Sequence, residues 1–332
     1  MDEKLNEYRD HPAFCGVYVV DEPGSDDYMQ GQGEHHSIKA FAPIFQNLKQ
    51  LDTFGYGNLF PVWQNDKYDE YELYVDEWCS KAQPMYLSFD IYPFDEGIGS
   101  VYYFNNLDVI RRYAEKYELP FWCYIQAGGQ WVTTVGERVE SKPYYPTEGQ
   151  LLWNVNTSLA YGTKGIQYFP LIQPYYYAFA ESVDVDSHRN GLIGLMGNKT
   201  QWWYYAQRAN KQIAAIDEVL MKSVNKGVIV SGKQATEDTK GLGAIMEGTA
   251  WRELTGVEGD AMIGCFNYQG KTALYVVNYD WDYAQKITLN LQDTYKLSIT
   301  QEAEESKVET NRLTLDLKAG EGALVVFDDT TK

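Results

Sequence analysis

Short apolar runs alternate with amphipathic helical segments through the first two thirds of the chain. The runs that predict strands are residues 15–20, 58–63, 84–92, 120–127 and 164–172. The segments with helical periodicity are residues 36–52, 69–82, 106–118, 146–162 and 198–220. Strands that alternate with helices at this spacing are typical of βα units around a parallel sheet. The first part of the chain is therefore predicted to have an α/β fold.

The pattern changes at about Lys226 to short strands separated by turn residues. These runs are residues 227–232, 261–268, 271–280, 285–291, 295–300, 311–317 and 322–327. Alternation of apolar and polar positions with frequent turns predicts an antiparallel β-sandwich. An acidic segment, residues 301–309, is predicted to be a solvated loop between two strands. The chain is thus divided into an α/β domain, residues 1–225, and an all-β sandwich domain, residues 226–332.

The charge of the chain narrows the range of partners. Its 332 residues carry a formal net charge of −19. Because nucleic acids and anionic membranes would be repelled by such a surface, neither is expected to bind. No apolar run approaches the roughly 18 to 20 residues of a membrane span, and residues 1–10 resemble a charged helix rather than a signal peptide. Localisation stays open, because an upstream segment could carry a signal.

Sequence motifs for cofactors and metals are missing. The four cysteines have no metal-ligand spacing and are predicted to be buried free thiols: Cys15, Cys79, Cys123 and Cys265. Glu34, His35 and His36 have no third metal ligand at a suitable spacing, so the histidines are expected to be solvent-exposed and to cap the next helix. Nucleotide, phosphate-loop and serine-hydrolase motifs are absent. No cofactor and no metal are therefore expected.

Polar and aromatic residues collect at the carboxyl ends of the five predicted strands. These residues are Asp21, Glu22, Trp63, Gln64, Asn65, Asp90, Tyr92, Gln126, Gln173 and Tyr175. In a (β/α)-barrel the carboxyl ends of the strands form the mouth that binds ligands. The chain is rich in aromatic residues, which make up 15% of it. The pattern favours a barrel with a ligand site at this end.

Three segments carry a resemblance to a known family: residues 11–24 with the sequence Asp21-Glu22-Pro23, residues 87–94 and residues 158–169. Together they resemble the later half of a clan A glycoside hydrolase barrel, of the β-galactosidase-like kind with a C-terminal β-sandwich. The resemblance implies a (β/α)8-type TIM barrel in which residues 16–20 form strand four. It also implies that Glu22 is the acid/base residue at the end of that strand.

The resemblance covers strands four to eight only, so the first three βα units of the barrel are not found. Three explanations are open: a truncated chain, a partner subunit that supplies the missing strands, or an unusual reduced barrel. An open parallel sheet leaves two unpaired edges. Truncation or a homo-oligomer that covers these edges is the favoured explanation.

The second departure from the family concerns the nucleophile. Retaining members carry a glutamate at the end of strand seven, and this chain has Gln126 there. Since an amide cannot act as an anionic nucleophile, the retaining mechanism is not transferred to this chain. Gln126 is instead interpreted as a residue that hydrogen-bonds sugar hydroxyls, or that satisfies buried backbone groups.

Glycoside hydrolysis needs a proton donor and a second carboxylate, and the chain offers candidates for both. Glu22 is the candidate acid, with a pKa raised by desolvation and by Asp21. Asp90 is the candidate second carboxylate, as a water-activating base or as a ligand of sugar hydroxyls. Adjacent Asp21 and Glu22 should face opposite ways on a regular strand. The predicted substrate-binding residues are Asp21, Trp63, Asn65, Tyr92, Gln126, Trp131 and Tyr175.

The sequence thus leads to three hypotheses of different classes. The first is a glycoside hydrolase that acts on an oligosaccharide or glycoside by carboxylate acid/base catalysis. The second is a catalytically silent barrel that binds carbohydrate, which Gln126 favours. The third is a scaffold that assembles through open barrel edges.

Overall fold

The computed structural model describes residues 2–25, 36–62, 68–94, 100–128, 130–132, 142–173, 191–232 and 250–328. Its contacts divide the chain into two compact units. The first unit comprises residues 1–90 and 109–122, and the second comprises residues 91–108 and 123–332. This division has no boundary at residue 225, so the predicted domain limits stay a prediction.

The first unit is built from alternating strands and helices. Its strands are β1 (Val17–Asp21), β2 (Gly55–Asn58) and β3 (Leu87–Phe89). Its helices are α1 (Asp2–Tyr8), α2 (Ile38–Gln50) and α3 (Tyr68–Glu77), and α3 continues into a π-helical turn (Trp78–Ala82). β1 pairs with β2 in parallel, and a parallel bridge between Leu59 and Phe89 joins β2 to β3. The α/β class of this part of the chain is confirmed.

One face of β2 lies unusually close to the helices. A Cβ atom on Gly57 would lie 2.8 Å from Phe45 and 2.9 Å from Trp78, and one on Gly55 would lie 2.9 Å from Leu48. Phe45 and Trp78 pack edge to face, with ring centroids 4.8 Å apart. Glycine at both positions therefore allows aromatic side chains of the helices to contact the strand backbone directly.

The second unit contains the remaining helices and strands. Helix α4 (Ser100–Lys116) and strand β4 (Phe121–Gln126) contribute residues to both units. They are followed by β5 (Gln130–Val132), β6 (Lys142–Tyr144), α5 (Glu148–Ala160), β7 (Gly165–Phe169) and α6 (Gln201–Met221). β4 and β7 are neighbours in one sheet, and β5 pairs with β6 in an antiparallel hairpin.

The C-terminal part of the chain forms one large antiparallel sheet. Its strands are β8 (Ser223–Ser231), β9 (Leu254–Glu258), β10 (Ala261–Tyr268), β11 (Lys271–Asn278), β12 (Gln285–Gln301), β13 (Glu304–Leu317) and β14 (Gly322–Phe327). Six strands follow the order β13-β12-β14-β11-β10-β8, and β9 pairs with β12. Alternate apolar residues of all seven strands meet in one core. The predicted antiparallel, sandwich-like arrangement is confirmed.

Two details of this sheet differ from the sequence analysis. The predicted strands 285–291 and 295–300 form the single strand β12, whose register shifts between Asn290 and Tyr295. The acidic segment predicted as a loop instead turns at residues 302–303 and then enters β13. The prediction was wrong because exposed acidic side chains are compatible with the solvent-facing side of a strand.

Helices α5 and α6 pack on the sheet through buried polar contacts. Tyr275 donates a hydrogen bond from its hydroxyl to Asn156 Oδ1 over 2.7 Å, and Asn156 Nδ2 donates to Gly320 O over 2.8 Å. Gln212 of α6 donates to Gly322 O. These bonds satisfy the polar groups that the helix–sheet contact removes from water.

Three of the four cysteines are buried, as predicted, whereas Cys15 is exposed. All four are free thiols. None of the helices in the described part of the chain is long and apolar enough to span a membrane.

Candidate functional site

The carboxyl ends of β1, β2 and β3 bring three acidic residues together in the first unit. Asp21, the last residue of β1, is in register with Asn58, the last residue of β2. Glu22 follows Asp21 directly, and Asp90 follows β3 by one residue. The backbone N–H of Glu22 donates to Asn58 O over 2.8 Å. Parallel pairing therefore places residues that are far apart in the sequence at one end of the sheet.

A β-bulge in β1 decides which side chains share a face. Tyr18 is in register with Tyr56, but Val20 is in register with Gly57, so Val19 is an extra residue in the pairing. Because side chains alternate along a strand, the extra residue brings Tyr18 and Asp21 to the same face. The opposite face of β2 carries the two glycines that contact the helices. The bulge thus directs Asp21 away from the helix side of the sheet.

Asn58 is the buried centre of this site, with 3% of its surface exposed. Its Nδ2 atom donates hydrogen bonds to Asp90 Oδ1 over 2.7 Å and to Asp21 Oδ1 over 3.3 Å. Its Oδ1 atom accepts a hydrogen bond from Ser88 Oγ over 3.0 Å. The two aspartates are therefore linked through one amide group, whose orientation is fixed by Ser88.

Glu22 has a strained backbone and a perturbed carboxyl. Its φ of 49° lies in the left-handed region, which non-glycine residues adopt at a cost of about 1 kcal/mol or more. Burial raises the pKa of Glu22 to about 8, and the negative charges of Asp90 and then Asp21 add to this shift. A carboxylic acid with such a pKa still carries its proton at neutral pH and can act as a proton donor.

The buried side chain of Tyr74 hydrogen-bonds the backbone segments that follow β1 and β2. The hydroxyl of Tyr74, in α3, donates to Pro23 O over 2.8 Å and accepts from the backbone N–H of Phe60 over 3.3 Å. Burial raises the pKa of Tyr74, so its hydroxyl stays neutral and keeps its donor proton. The segments that follow β1 and β2 are thus tied to the same side chain.

Aromatic rings extend from the acidic residues along the same face of the sheet. Tyr18 stacks on Tyr56 at a centroid distance of 5.5 Å, and Tyr86 lies 5.8 Å from Tyr56 and 4.4 Å from Trp122. Desolvation and the charges of Asp21, Tyr56, Glu22 and Asp90 raise the pKa of Tyr18 to about 12. The Tyr56 hydroxyl lies 3.1 Å from Ser88 Oγ, which extends the hydrogen-bond chain of the site.

Two predicted site residues lie in the second unit. Gln126, at the end of β4, is 1% exposed, and its side-chain amide accepts from Phe94 N over 3.1 Å and donates to Phe94 O over 3.3 Å. This geometry matches the alternative in which Gln126 satisfies buried backbone groups. Tyr92 stacks on Phe169, with ring centroids 5.8 Å apart.

Trp63, Asn65 and Tyr175 lie outside the described residues, and Trp131 is described only as part of the backbone of β5. Their roles stay predictions.

His36 differs from its predicted role. The N-cap of α2 is Ser37, whose side chain accepts from Ala40 N. His36 lies before the helix, and its Nε2 atom donates to Asp21 O over 2.6 Å. The described residues include no group of three or more histidine, cysteine, aspartate or glutamate side chains arranged to hold a metal ion.

Sequence reasoning missed Asn58, Ser88, Tyr18 and Tyr74. A strand was predicted at residues 58–63, but β2 spans Gly55–Asn58. Asn58, which was predicted to begin the strand, is its last residue. Along β2, Tyr56 and Asn58 alternate with Gly55 and Gly57. This alternation indicates that one face of the strand carries polar side chains and that the other face carries none.

No family model and no curated protein matches the chain. Among solved structures it is similar to a family 27 β-L-arabinopyranosidase from Geobacillus stearothermophilus, with a TM-score of 0.43 and 8% identity over 96% of this chain and 74% of that one. A family 5 glycoside hydrolase from Bacteroides vulgatus gives a TM-score of 0.39 and 9% identity over 89% and 67%.

A β-galactosidase from Marinomonas ef1 gives a TM-score of 0.38 and 12% identity, over 55% of this chain and 27% of that one. All three structural neighbours are glycoside hydrolases. Because all three TM-scores are low, the function proposed for the chain rests on its own residues.

Proposed function

We propose that the chain is a glycoside hydrolase that cleaves an O-glycosidic bond of an oligosaccharide or glycoside. Glu22 is the general acid, Asp90 is the second carboxylate, and Asp21 binds sugar hydroxyls. The observation that carries this proposal is a glutamate with a pKa of about 8 beside two aspartates at the ends of β1 and β3, the parallel strands on either side of β2. Pairs of carboxyl groups whose environments separate their pKa values are characteristic of acid/base sites.

The protonated carboxyl group of Glu22 and the ionised carboxyl group of Asp90 have different roles in the proposed reaction. Glu22 donates its proton to the glycosidic oxygen as the bond from that oxygen to the anomeric carbon breaks. Asp90 accepts a proton from a water molecule whose oxygen forms the new bond to the anomeric carbon. This is the inverting route, and it needs no nucleophile at the position of Gln126.

The proposed fold of this hydrolase is a barrel that includes five of the described strands. β1, β2, β3, β4 and β7 correspond to strands four to eight of a (β/α)-barrel of clan A type. The alternation of strands and helices and the parallel contacts from β1 to β3 support this assignment. A homo-oligomer that covers the open edge of β1 is part of the proposal, because exposed strand edges favour association.

The decisive test replaces Glu22 by glutamine, which resembles the protonated carboxyl but cannot donate an acidic proton. We expect hydrolysis of natural glycosides by Glu22→Gln to fall by at least about 10²-fold. The free energy of unfolding at about pH 6 should change by less than about 1 kcal/mol. Product release is measured by chromatography of reaction mixtures from a panel of β-linked glycosides.

The matched control for this test is Glu321→Gln in the second unit. Glu321 is a buried glutamate whose pKa, like that of half-buried Glu22, is raised first of all by burial. Its replacement should leave hydrolysis unchanged. Unaltered turnover in Glu22→Gln would overturn the assignment of the acid.

The second candidate function is a silent carbohydrate-binding protein, which Gln126 favours because it stands where the resemblance places a nucleophile. Its binding residues in the first unit would be Asp21, Trp63 and Asn65. Calorimetric titration with oligosaccharides distinguishes the two functions. Binding without release of reducing ends over days would support the silent protein and contradict the hydrolase.

A further inference from the structure

Asn58 contacts all three acidic residues of the site. Its backbone oxygen accepts from the N–H of Glu22, and its Nδ2 atom donates to Asp90 and Asp21. Its side chain is almost fully buried, with 3% of the residue exposed.

Ser88 fixes the orientation of the side-chain amide of Asn58. Ser88 Oγ donates to Asn58 Oδ1, so the Nδ2 group points to the two aspartates. Ser88 is fully buried and lies 3.1 Å from the Tyr56 hydroxyl, which can donate to it. The chain Tyr56–Ser88–Asn58 therefore directs the two amide hydrogens of Asn58 to the carboxyl groups of Asp21 and Asp90.

Donation by an uncharged amide favours the ionised form of each aspartate that accepts it. Two ionised aspartates then make a third negative charge on Glu22 more costly. Among the described residues, the titratable groups around Glu22 are Asp21 and Tyr18 on β1, Asp90 after β3, Tyr74 on α3 and His36, which hydrogen-bonds Asp21 O. Both tyrosines remain neutral over the working range, so they add no charge that would alter the titration of the three carboxyl groups.

We infer that Asn58 is a positioning residue that keeps Asp21 and Asp90 as hydrogen-bond acceptors and thereby leaves the proton of the site on Glu22. The inference rests on the proposed function for its catalytic meaning. Its structural content, the distribution of the proton among three acids, is independent of whether the chain hydrolyses a glycoside.

Replacement of Asn58 by alanine removes the donor of both aspartates, so that a proton on either aspartate competes more strongly with the proton on Glu22. We expect the carboxyl of Glu22 to titrate at least about one pH unit lower in Asn58→Ala than in the unaltered chain. The carboxyl of Asp90 should titrate higher. Side-chain ¹³C NMR of the full chain follows both groups, with signals assigned from Glu22→Gln and Asp90→Asn.

In the hydrolysis assay the same shift moves the basic limb of the pH profile of kcat/KM to lower pH. A shift of one unit from about pH 8 should then lower activity about twofold at pH 7 and about tenfold at pH 9. If the unaltered chain hydrolyses no glycoside, the proposed function fails, and the NMR titration still decides the role of Asn58.

Asn156→Ala is the matched control, because Asn156 has the same 3% exposure and also makes two buried hydrogen bonds, within the second unit. It should lower stability without moving the titration of Glu22. Ser88→Ala is the second variant, in case Asn58→Ala does not fold. It frees the amide to rotate and should shift Glu22 in the same direction by less. An unchanged titration of Glu22 in both site variants overturns the inference.

Discussion

Two glutamates, one in each unit, differ in the groups that surround their carboxyl groups. Glu321 is 3% exposed and precedes β14, and its Oε2 atom accepts hydrogen bonds from Lys318 N over 2.7 Å and from Gln301 Nε2 over 3.3 Å. Burial raises the pKa of both Glu321 and Glu22. The bonds to Glu321 oppose that shift, because they favour its ionised form.

The charge of Glu302 also raises the pKa of Glu321, but the charge of Lys318 lowers it together with those bonds. Around Glu22 the charges of Asp90 and Asp21 both add to the effect of burial. A raised pKa therefore indicates a candidate proton donor more strongly where neighbouring groups reinforce the effect of burial than where donors oppose it.

The largest effect on stability is expected when the donors of Glu321 lose their acceptor. Glu321→Ala leaves the N–H of Lys318 and the amide of Gln301 without that partner, which should cost about 2 kcal/mol of unfolding free energy. Urea unfolding measures it. Glu304→Ala, a change at an exposed glutamate of β13, should stay within about 0.5 kcal/mol. Equal losses in the two variants would show that the turn does not depend on Glu321.

The second largest effect is expected in the pH dependence of stability, which should differ between variants of Glu22 and Glu321. The folded-state pKa of Glu22, about 8, lies above its ordinary value of 4.5, so its stabilising contribution is complete below about pH 4.5 and is lost as the pH rises through 8. Glu22→Gln should therefore gain stability relative to the unaltered chain between about pH 5 and about pH 9. The expected gain is about 1 to 2 kcal/mol, because solvent screens a partly exposed carboxyl.

Urea unfolding at the two pH values checks this prediction. Glu321→Gln should show the same sign with a smaller change, since hydrogen bonds to Glu321 favour its charged form. A gain for Glu321→Gln equal to that for Glu22→Gln would remove the distinction between the two sites.

The smallest change in unfolding free energy is expected when the hydroxyl of Tyr74 is removed. Tyr74→Phe loses the bonds to Pro23 and Phe60 and should cost about 1 kcal/mol. It should also reduce hydrolysis, because Pro23 follows Glu22 directly. Tyr275→Phe, which loses the 2.7 Å bond to Asn156, should cost a similar amount and leave hydrolysis unchanged. Equal rates in both variants would show that Tyr74 supports the fold only.

The alternation of strands and helices could be predicted because each element has a long periodic pattern. β2 was misplaced for a physical reason. Gly55 and Gly57 are poor strand formers, and the following apolar residues gave a stronger local signal. Their role appears only in the packing against Phe45 and Trp78, which sequence periodicity does not contain.

The error in β2 also explains which site residues were found. Glu22 and Asp90 were selected because each follows an apolar run, and the structure places Asp21, Asp90 and Asn58 in contact. Asn58 was missed because it stood at the start of the predicted strand. The bulge at Val19 has no local signature, and it reverses the alternation that sequence reasoning applies to a strand.

That bulge has a consequence for how the chain can change over evolutionary time. Deletion of Val19 would leave Tyr18 opposite Tyr56, Val20 opposite Gly57 and Asp21 opposite Asn58, so a strand one residue shorter would alternate regularly and keep Tyr18 and Asp21 on one face. Strands usually reject changes of length, but β1 can lose its extra residue without separating the aromatic row from the acids beyond it. Loss of a second residue would turn either Tyr18 or Asp21 to the helix side, where Gly55 and Gly57 leave no space.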